Sequence, residues 1–414
     1  MLKEYDTVAY VVLEKLGLDI EELKRDIEEI FSFDEAKEKE NIPYPFLINL
    51  STSQKIHPFV LRNNYIEKIK YILSKKQKNN PLLIGNAGVG KPAIVEGLSE
   101  ILKDVSIYQL DLGSIVAGTK YRGELEEKLT KAMEYIKRKK AILFIDEIQY
   151  IKNFEEVLVQ YFSSKKYSIF ISSSNKCLFS KKFLELFSGK YEVIELKPLS
   201  LKEFNEVANI NKLEPNSLLT GYILESGFIE TQNVSDLVSK IEINRKLLNN
   251  ILEKDVLPFV RVNSLTIAKD ILTFIINNFD SIIDKKEYDE FIKSYKGLIK
   301  LEDINDYLLC LENAYVIKSV KVKDINSNEV INAKYFLGDL GLFTCSMTKK
   351  AIDYDCVFEN IIFNTLNDVE ILSCYDNEVN LGLMIKSNGG LEIIKVITNV
   401  GHNNAKSICD LDWY

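Results

Sequence analysis

Along residues 9–31, AYVVLEKLGLDIEELKRDIEEIF, apolar residues fall at helical spacing (Leu13, Leu16, then Leu23, Ile27 and Ile30) and are broken by Gly17. That pattern predicts a helix, a turn and a second helix. The charged run DEAKEKEN with Pro43 and Pro45 behind it reads as a linker, so a globular unit is expected to begin near residue 46. From there the pattern alternates. A helical period at about 63–75 is followed by PLLI, a glycine-rich loop, another helical period, SIYQLDL, the amphipathic ELEEKLTKAMEYIKRKK, AILFID and YSIFISSS. Short apolar runs alternating with helices predict an α/β fold, with a parallel sheet covered by helices on both faces. Residues 201–262 carry mainly helical periods, as in LVSKIEINRKLLNNILEKDV, and strands return only after about residue 314. VIKSVKV, AKYFL, VEILSCY, VNLGLMI and LEIIKVI, with a helix around FENIIFNTL, then predict a small separate α+β domain. No internal repeat or low-complexity tract is present.

The chain of 414 residues has room for roughly two to three domains. Its 46% apolar and 28% charged residues are ordinary for a globular protein. Lys and Arg total 53 against 61 Asp and Glu, a net charge of −8, which disfavours a nucleic-acid or anionic-membrane surface spread over the whole molecule. His57 and His402 are the only histidines, so histidine triads and zinc-protease motifs lack their raw material. Proton transfer would rest on carboxylates or lysines. Six scattered cysteines without a CxxC pair, and a start without a signal-type apolar segment, point to reduced thiols and a cytoplasmic location. Every apolar run falls far short of the ~18 residues that cross a bilayer.

Candidate chemistry concentrates in Gly85-Asn86-Ala87-Gly88-Val89-Gly90-Lys91, set between the strand PLLI and the helical PAIVEGLSEIL. This is the context of a phosphate-binding loop: glycines let the backbone curl with its N–H groups inward, the helix N-terminus adds positive potential, and Lys91 reaches the β and γ phosphates. Pro92 and Ala93 continue the binding segment into the helix. Ile142-Leu143-Phe144-Ile145-Asp146-Glu147 ends an apolar strand in two carboxylates, as a triphosphate site needs. Asp146 is the expected Mg²⁺ ligand, through water, and Glu147 the group that orients and deprotonates the attacking water. The residue after Lys91 should carry a hydroxyl for Mg²⁺, but Pro92 has neither hydroxyl nor N–H. Binding of ATP is expected to survive weakly, with hydrolysis slow or absent.

These residues carry a family resemblance in two pieces. KIHPFVLRNNYIEKIKYILSKKQKNNPLLIGNAGVGKPAIVEGLSEIL and LDLGSIVAGTKYRGELEEKL resemble the ClpC/ClpB-type AAA+ unfoldases, and the resemblance runs from residue 6 to about 140, the opening helix pair being similar to the end of the Clp N-terminal domain. It implies that His57 to Arg62, with Val60 and Leu61, line the adenine pocket, although Leu61 replaces the family's glycine. It also implies that Tyr121 and Arg122 lie on a pore loop gripping a polypeptide. From the Asp-Glu pair to about residue 400 the chain is similar to a different group of prokaryotic AAA-type ATPases, whose rear half holds a winged helix and a nuclease-like domain. FIDEIQYIKNFEEVLVQYFSSKKYSIFISSSNKCLFSKKFLELFSGKYEVIELKPLSLKEF carries this second likeness, and YILESGFIE, YLLCLENAYVI, AKYFLGDLGL and FENIIFNTL continue it. There Ser174 or Asn175 would be the polar sensor of the γ-phosphate, and an arginine stands where this chain has Lys190.

The resemblance implies an AAA+ P-loop sheet and five regions: a Clp-like helical remnant at 1–40, a nucleotide-binding domain at 41–200, a helical lid at 201–262, a winged helix at 263–325 and a degenerate restriction-endonuclease-like α+β domain at 326–414. A metal nuclease needs two acids and a lysine around Mg²⁺. Glu359 could be the first acid, but Asn380 holds the second position and the last strand reads Glu392-Ile393-Ile394-Lys395, so nuclease activity is not expected. The expected recognition helix, LEDINDYLLCLENA, has four acids and no Lys or Arg, which favours a protein contact over nucleic acid. The reading is an ATP- and Mg²⁺-binding protein, an impaired ATPase coupling its nucleotide state to a protein partner. The alternative is a non-enzymatic scaffold or winged-helix regulator. Clp-like ancestry implies hexamers, while the missing arginine argues against a shared site.

Overall fold

The computed structural model describes residues 42–52, 62–117, 122–151, 153–162, 167–207, 215–278, 283, 285–324, 330–345, 354–366, 370–376, 379–387 and 390–394. The helix pair expected at 9–31, the segment 53–61 with Val60 and Leu61, Tyr121 and Lys395 lie outside them.

Twelve elements build the first unit: β1 (Leu47–Asn49), α1 (Asn63–Ser74), β2 (Asn80–Ile84), α2 (Lys91–Ile101), β3 (Ile107–Leu110), α3 (Leu112–Ala117), α4 (Arg122–Lys139), β4 (Ile142–Ile145), α5 (Phe154–Phe162), β5 (Ser168–Ser173), α6 (Lys181–Phe187) and β6 (Tyr191–Glu195). The strands lie in the order β1-β3-β4-β5-β2-β6, all parallel except β1, which runs antiparallel to β3. Successive side chains of a strand point to opposite faces, and here both faces are covered. Leu83, Ile142, Phe144 and Phe170 pack with Ile69 of α1 and Leu98 of α2. Leu82, Ile84, Leu143, Ile145, Ile169 and Ile171 pack with Met133 of α4, Leu158 of α5 and Phe183 of α6. That two-sided burial is why the strands read as unbroken apolar runs.

The chain then turns helical, as the periods predict: α7 (Leu201–Val207), α8 (Pro215–Glu225), α9 (Leu237–Ile251), a π-helical turn over Leu252–Val256, a 3-10 turn over Leu257–Phe259, α10 (Leu265–Asn277), α11 (Lys285–Ser294) and α12 (Leu301–Asn313). Side chains cap three of these helices: Ser200 accepts from the Glu203 N–H at 3.2 Å, Asp236 from the Ser239 N–H at 2.8 Å and Ser264 from the Ile267 N–H at 3.4 Å. Ile271 of α10 and Ile304 and Leu311 of α12 belong to the same apolar cluster as α1 and α2.

The last part comprises β7 (Ile317–Asp324), β8 (Val330–Leu337), α13 (Gly341–Cys345), α14 (Tyr354–Thr365), β9 (Glu370–Asp376), β10 (Val379–Ser387) and β11 (Gly390–Ile394). These strands form a sheet of order β11-β10-β9-β7-β8, antiparallel except for the parallel pair β7 and β9. The boundary expected between residues 325 and 326 therefore needs correction. It cuts between β7 and β8, which pair from Ile317 with Leu337 to Lys323 with Val330 and share one sheet. The stacked rings of Phe336 and Phe363, 4.2 Å between centroids, fix α14 against β8.

The C-terminal sheet is joined to the rest at a crowded corner. Asp339 accepts from the Gly227 N–H at 2.8 Å and the Gly341 N–H at 2.7 Å, and the Gly338 N–H donates to the Val316 carbonyl. A Cβ at Gly338 would lie 2.0 Å from the Tyr315 carbonyl oxygen, backbone that cannot swing aside. Gly338→Ala is expected to cost about 2–3 kcal/mol by overpacking, read as a lower urea midpoint with the m-value unchanged.

Candidate functional site

The loop between β2 and α2 is built from both of its ends. Val89 is fully buried and anchors it in the core, and the Gly85 N–H donates to the Ser173 carbonyl of the neighbouring β5 at 3.3 Å. Gly88 and Gly90 adopt φ of 81° and 87°, a left-handed backbone that glycine takes without steric cost. Gly90 is the N-cap of α2, and Pro92 sits in the helix's first turn, where proline's fixed φ is tolerated. Ala93 is buried beneath that turn. Asn86 is buried as well, its side-chain amide donating to the Tyr315 carbonyl at 2.9 Å.

Lys91 is 2% exposed. Its ammonium donates to the Gly85 and Asn86 carbonyls, each at 2.9 Å, and lies 3.1 Å from Glu147 Oε1. An ammonium has three N–H donors, so these contacts engage all of them. The fold thus brings together two motifs that are far apart in sequence, through the adjacency of β2, β5 and β4.

Glu147 stands just past β4 with φ of 49°, an uncommon conformation for a residue with a Cβ. Its carboxylate also accepts from Gln149 Nε2 at 2.6 Å and from the Ser174 N–H at 2.8 Å. Burial alone would raise its pKa, but Lys91 and the hydrogen bonds from Gln149, Ser174 and Lys91 outweigh it and hold the carboxyl below its ordinary range. Asp146 beside it accepts from the Ser172 hydroxyl, which in turn accepts from the Glu147 N–H at 3.0 Å.

Of the two candidate sensors, Ser174 faces the acids: its hydroxyl accepts from Gln149 Nε2 at 2.9 Å. Asn175 is fully buried, its amide donating to the Asp255 carbonyl at 2.9 Å and its oxygen accepting from the Cys177 N–H at 2.8 Å. The site therefore includes Ser172, Gln149 and Asp255, which sequence reasoning missed. Ser172 carried a weak signal as a polar residue near the end of a buried strand, and Gln149 as one in the 3-10 turn that follows β4. Asp255 carried none, since it lies in a helical period far along the chain.

Asp255 belongs to the π-helical turn and is 2% exposed. The Ser174 hydroxyl lies 3.3 Å from each of its carboxylate oxygens. The helical region also closes over the loop. The Ile229 N–H donates to the Gly88 carbonyl at 3.3 Å. A Cβ at Gly88 would lie 2.7 Å from Leu247 Cδ2, and one at Gly90 2.4 Å from Ile229 Cδ1. The glycines thus serve the approach of the helical region as well as the curl of the loop.

Next to the loop lies a cavity of about 410 Å³ that touches Asn86 and is lined by Tyr65, Pro198, Tyr222, Tyr315 and Lys318 among others. Arg62 is buried behind it, donating to the Lys197 carbonyl at 3.0 Å and paired with Glu203 Oε1 at 3.0 Å. Burial, with the Lys197 charge adding to it, pushes the Lys318 ammonium down to about 8. The remaining candidates are dispersed. Lys190 donates to the Leu186 carbonyl at 2.6 Å, and Arg122 begins α4. Glu359 pairs with the buried Lys334 at 2.8 Å, while Asn380 and Glu392 lie on β10 and β11. On α12, Asp303 accepts from the Lys300 N–H at 2.9 Å and Asp306 pairs with Arg261 at 2.6 Å. Among the described residues no cluster of three His, Cys, Asp or Glu could hold a metal, and no helix is long and apolar enough to cross a membrane.

Comparison with known proteins agrees with this geometry. Residues 77–205 match an AAA domain family. The chain is 36% identical over 173 residues to the chaperone protein ClpB of Oceanobacillus iheyensis, covering 36% of this chain and 21% of that protein. Over 170 residues it is 36% identical to the negative regulator of genetic competence ClpC/MecB of Bacillus subtilis, with the same coverage. It spans about a fifth of the length of these relatives. In structure it is similar to a Walker-type ATPase of Pyrococcus abyssi, with a TM-score of 0.50 at 16% identity over 72% of this chain and 99% of that one. It is also similar to the Hsp104–ADP complex of S. cerevisiae, with a TM-score of 0.39 at 19% identity over 65% of this chain and 42% of that one. The chain thus contains an AAA-type domain related to the Clp chaperones.

Burial, reinforced by the nearby Glu147 charge, raises the Asp255 carboxyl from 3.8 to about 6, against the opposing pull of Lys91 and the hydrogen bonds from Ser174 and Gln149. Between about pH 4 and 6 the folded chain keeps a proton that the unfolded chain has released. This carboxyl therefore costs stability as pH rises through that window, levelling off near ~3 kcal/mol. Asp255→Asn is expected to remove that dependence and to raise stability at pH 7 by about 1–3 kcal/mol, measured by urea unfolding of both forms at pH 4 and pH 7.

Proposed function

We propose that this chain binds ATP at the Gly85–Lys91 loop, hydrolyses it slowly or not at all, and passes its nucleotide state to a protein partner. The observation that carries the reading is Lys91, held by the loop carbonyls with its charge against Glu147. That is the meeting of phosphate-binding and water-activating groups that a triphosphate site requires.

The residues present fit a polyphosphate: flexible glycines before a helix N-terminus, a lysine, and two carboxylates at the end of the adjacent strand. Loop residues Asn86, Ala87, Gly88 and Val89 would cradle the phosphates, with Lys91 on the β and γ groups. The nucleoside end would enter the 410 Å³ cavity, which touches Asn86 and lies beside Arg62. Asp146 would hold Mg²⁺ through water, and the ion supplies neutralisation of phosphate charge when bound. Glu147, once released from Lys91, would orient and deprotonate the attacking water. The fit is weaker at position 92. Proline contributes neither a hydroxyl for the ion nor an N–H for a phosphate oxygen, a loss of about 1.5–3 kcal/mol, or roughly one to two orders of magnitude in affinity.

The ClpB relative is named a chaperone and the ClpC/MecB relative a negative regulator of genetic competence, and Tyr121 with Arg122 would grip a polypeptide if the pore-loop resemblance carries over. In the same reading α10–α12 and the β7–β8 hairpin act as a winged helix that contacts protein, since acidic α12 repels nucleic-acid phosphates. Nuclease activity is not part of this reading, since Asn380 stands where a second acid would be needed and Glu359 is paired with Lys334. A second reading, a scaffold that keeps only the fold, is favoured by Pro92 in place of a hydroxyl residue and by Lys190, at the position of the expected arginine, turning back onto α6.

Titration calorimetry with Mg-ATP followed by phosphate release separates the two. Binding lost in Lys91→Ala, with turnover raised at least tenfold by Pro92→Thr, is the expected result. Turnover indifferent to both substitutions would defeat the impaired-site account, and absence of any binding heat would leave the scaffold.

A further inference from the structure

We propose that Asp255 is a built-in competitor for the terminal phosphate of the nucleotide, so that a triphosphate must displace it and move the turn that carries it. The proposal rests on the nucleotide reading of the loop and concerns the regulation of that same site.

Three observations on different elements converge on it. The Asp255 carboxylate is enclosed by the Ser174 hydroxyl at 3.3 Å from each oxygen, by Gln149, and by the charges of Glu147 and Lys91. Those are groups that a γ-phosphate and its attacking water would use. A carboxylate and a terminal phosphate are both compact oxyanions that accept the same N–H and O–H donors. Two such anions sharing one buried shell, with Glu147 beside them, repel each other strongly where water is excluded.

Asp255 is also tied to the same strand through its backbone. Its main-chain carbonyl accepts from the buried Asn175 amide at 2.9 Å, so the backbone as well as the carboxylate is tied to the sensor strand. The third observation is the backbone itself. Leu252–Val256 forms a π-helical turn at the end of α9, a rare geometry whose single turns concentrate at functional sites. α9 supplies Leu247 over Gly88, and the π-turn packs against α12 and α10. Displacing Asp255 would therefore shift the lid and the helices behind it together, which is how occupancy of the phosphate loop could reach the rest of the chain.

The test uses the full chain and its Asp255→Asn variant, checked for folding by circular dichroism, with Mg-ATP and Mg-ADP titrated separately. The variant keeps the shape and loses the charge. Its affinity for Mg-ATP is expected to rise about tenfold, with at most a threefold gain for Mg-ADP. Independently of any variant, Mg-ATP is expected to speed amide hydrogen exchange over residues 252–257 of the wild type, opposite to the protection that simple binding confers. Unchanged or weaker Mg-ATP binding by a folded Asp255→Asn, an equal gain for Mg-ADP, or slower exchange in the π-turn would each overturn the proposal. A wild type that binds neither nucleotide beside a variant that binds Mg-ATP supports it. Folded forms that both bind neither would overturn the nucleotide reading and this inference with it.

Discussion

A lysine ammonium buried away from water must be neutralised and hydrogen-bonded where it sits, and Lys91 meets both demands with groups from two strands. The Gly85 and Asn86 carbonyls satisfy two of its protons, and Glu147 supplies the third acceptor and the opposing charge. The same arrangement fixes Glu147 in a left-handed backbone and draws in Gln149 and the Ser174 N–H. Ser172 links Asp146 to this group. The sheet order, with β2 beside β5 and β5 beside β4, is what lets one ammonium reach these partners.

Around that centre the protein closes from two directions. The helical region approaches the loop through Ile229 and Leu247, which is sterically feasible because positions 88 and 90 lack a Cβ. The C-terminal part holds Asn86 through the Tyr315 carbonyl, and Gly338 lets that carbonyl approach closely. A phosphate loop tied at its second residue to one unit and at its fourth to another cannot change shape alone. The loop, the helical region and the segment leading into the C-terminal sheet are therefore in direct contact.

Much of the fold was legible in the chain. Buried parallel strands leave continuous apolar runs, so β2, β3, β4 and β5 could be read, as could the amphipathic α4 and the C-terminal strands. β1 was not, because three residues are too few to show a period. β6 was missed because only Ile194 of its five residues is fully buried, and Glu192 and Glu195 break the apolar run. The domain boundary at 325 went astray because the polar residues that follow β7 have the composition of a linker, while the pairing of β7 with β8 is a contact that composition does not show.

The sequence by itself determined the chemical inventory: a glycine loop ending in Lys91, the Asp146-Glu147 pair, and the missing hydroxyl at Pro92. Local spacing suffices for these because each motif is confined to one strand and its following turn. Only the tertiary structure decided how the inventory is wired. That Lys91 is already neutralised by Glu147, that Asn175 is engaged while Ser174 faces the acids, and that Asp255 arrives from a distant helical turn all depend on contacts between segments up to 81 positions apart. Such contacts are set by how layers pack, and packing of remote elements leaves no periodic trace in the residues that make it.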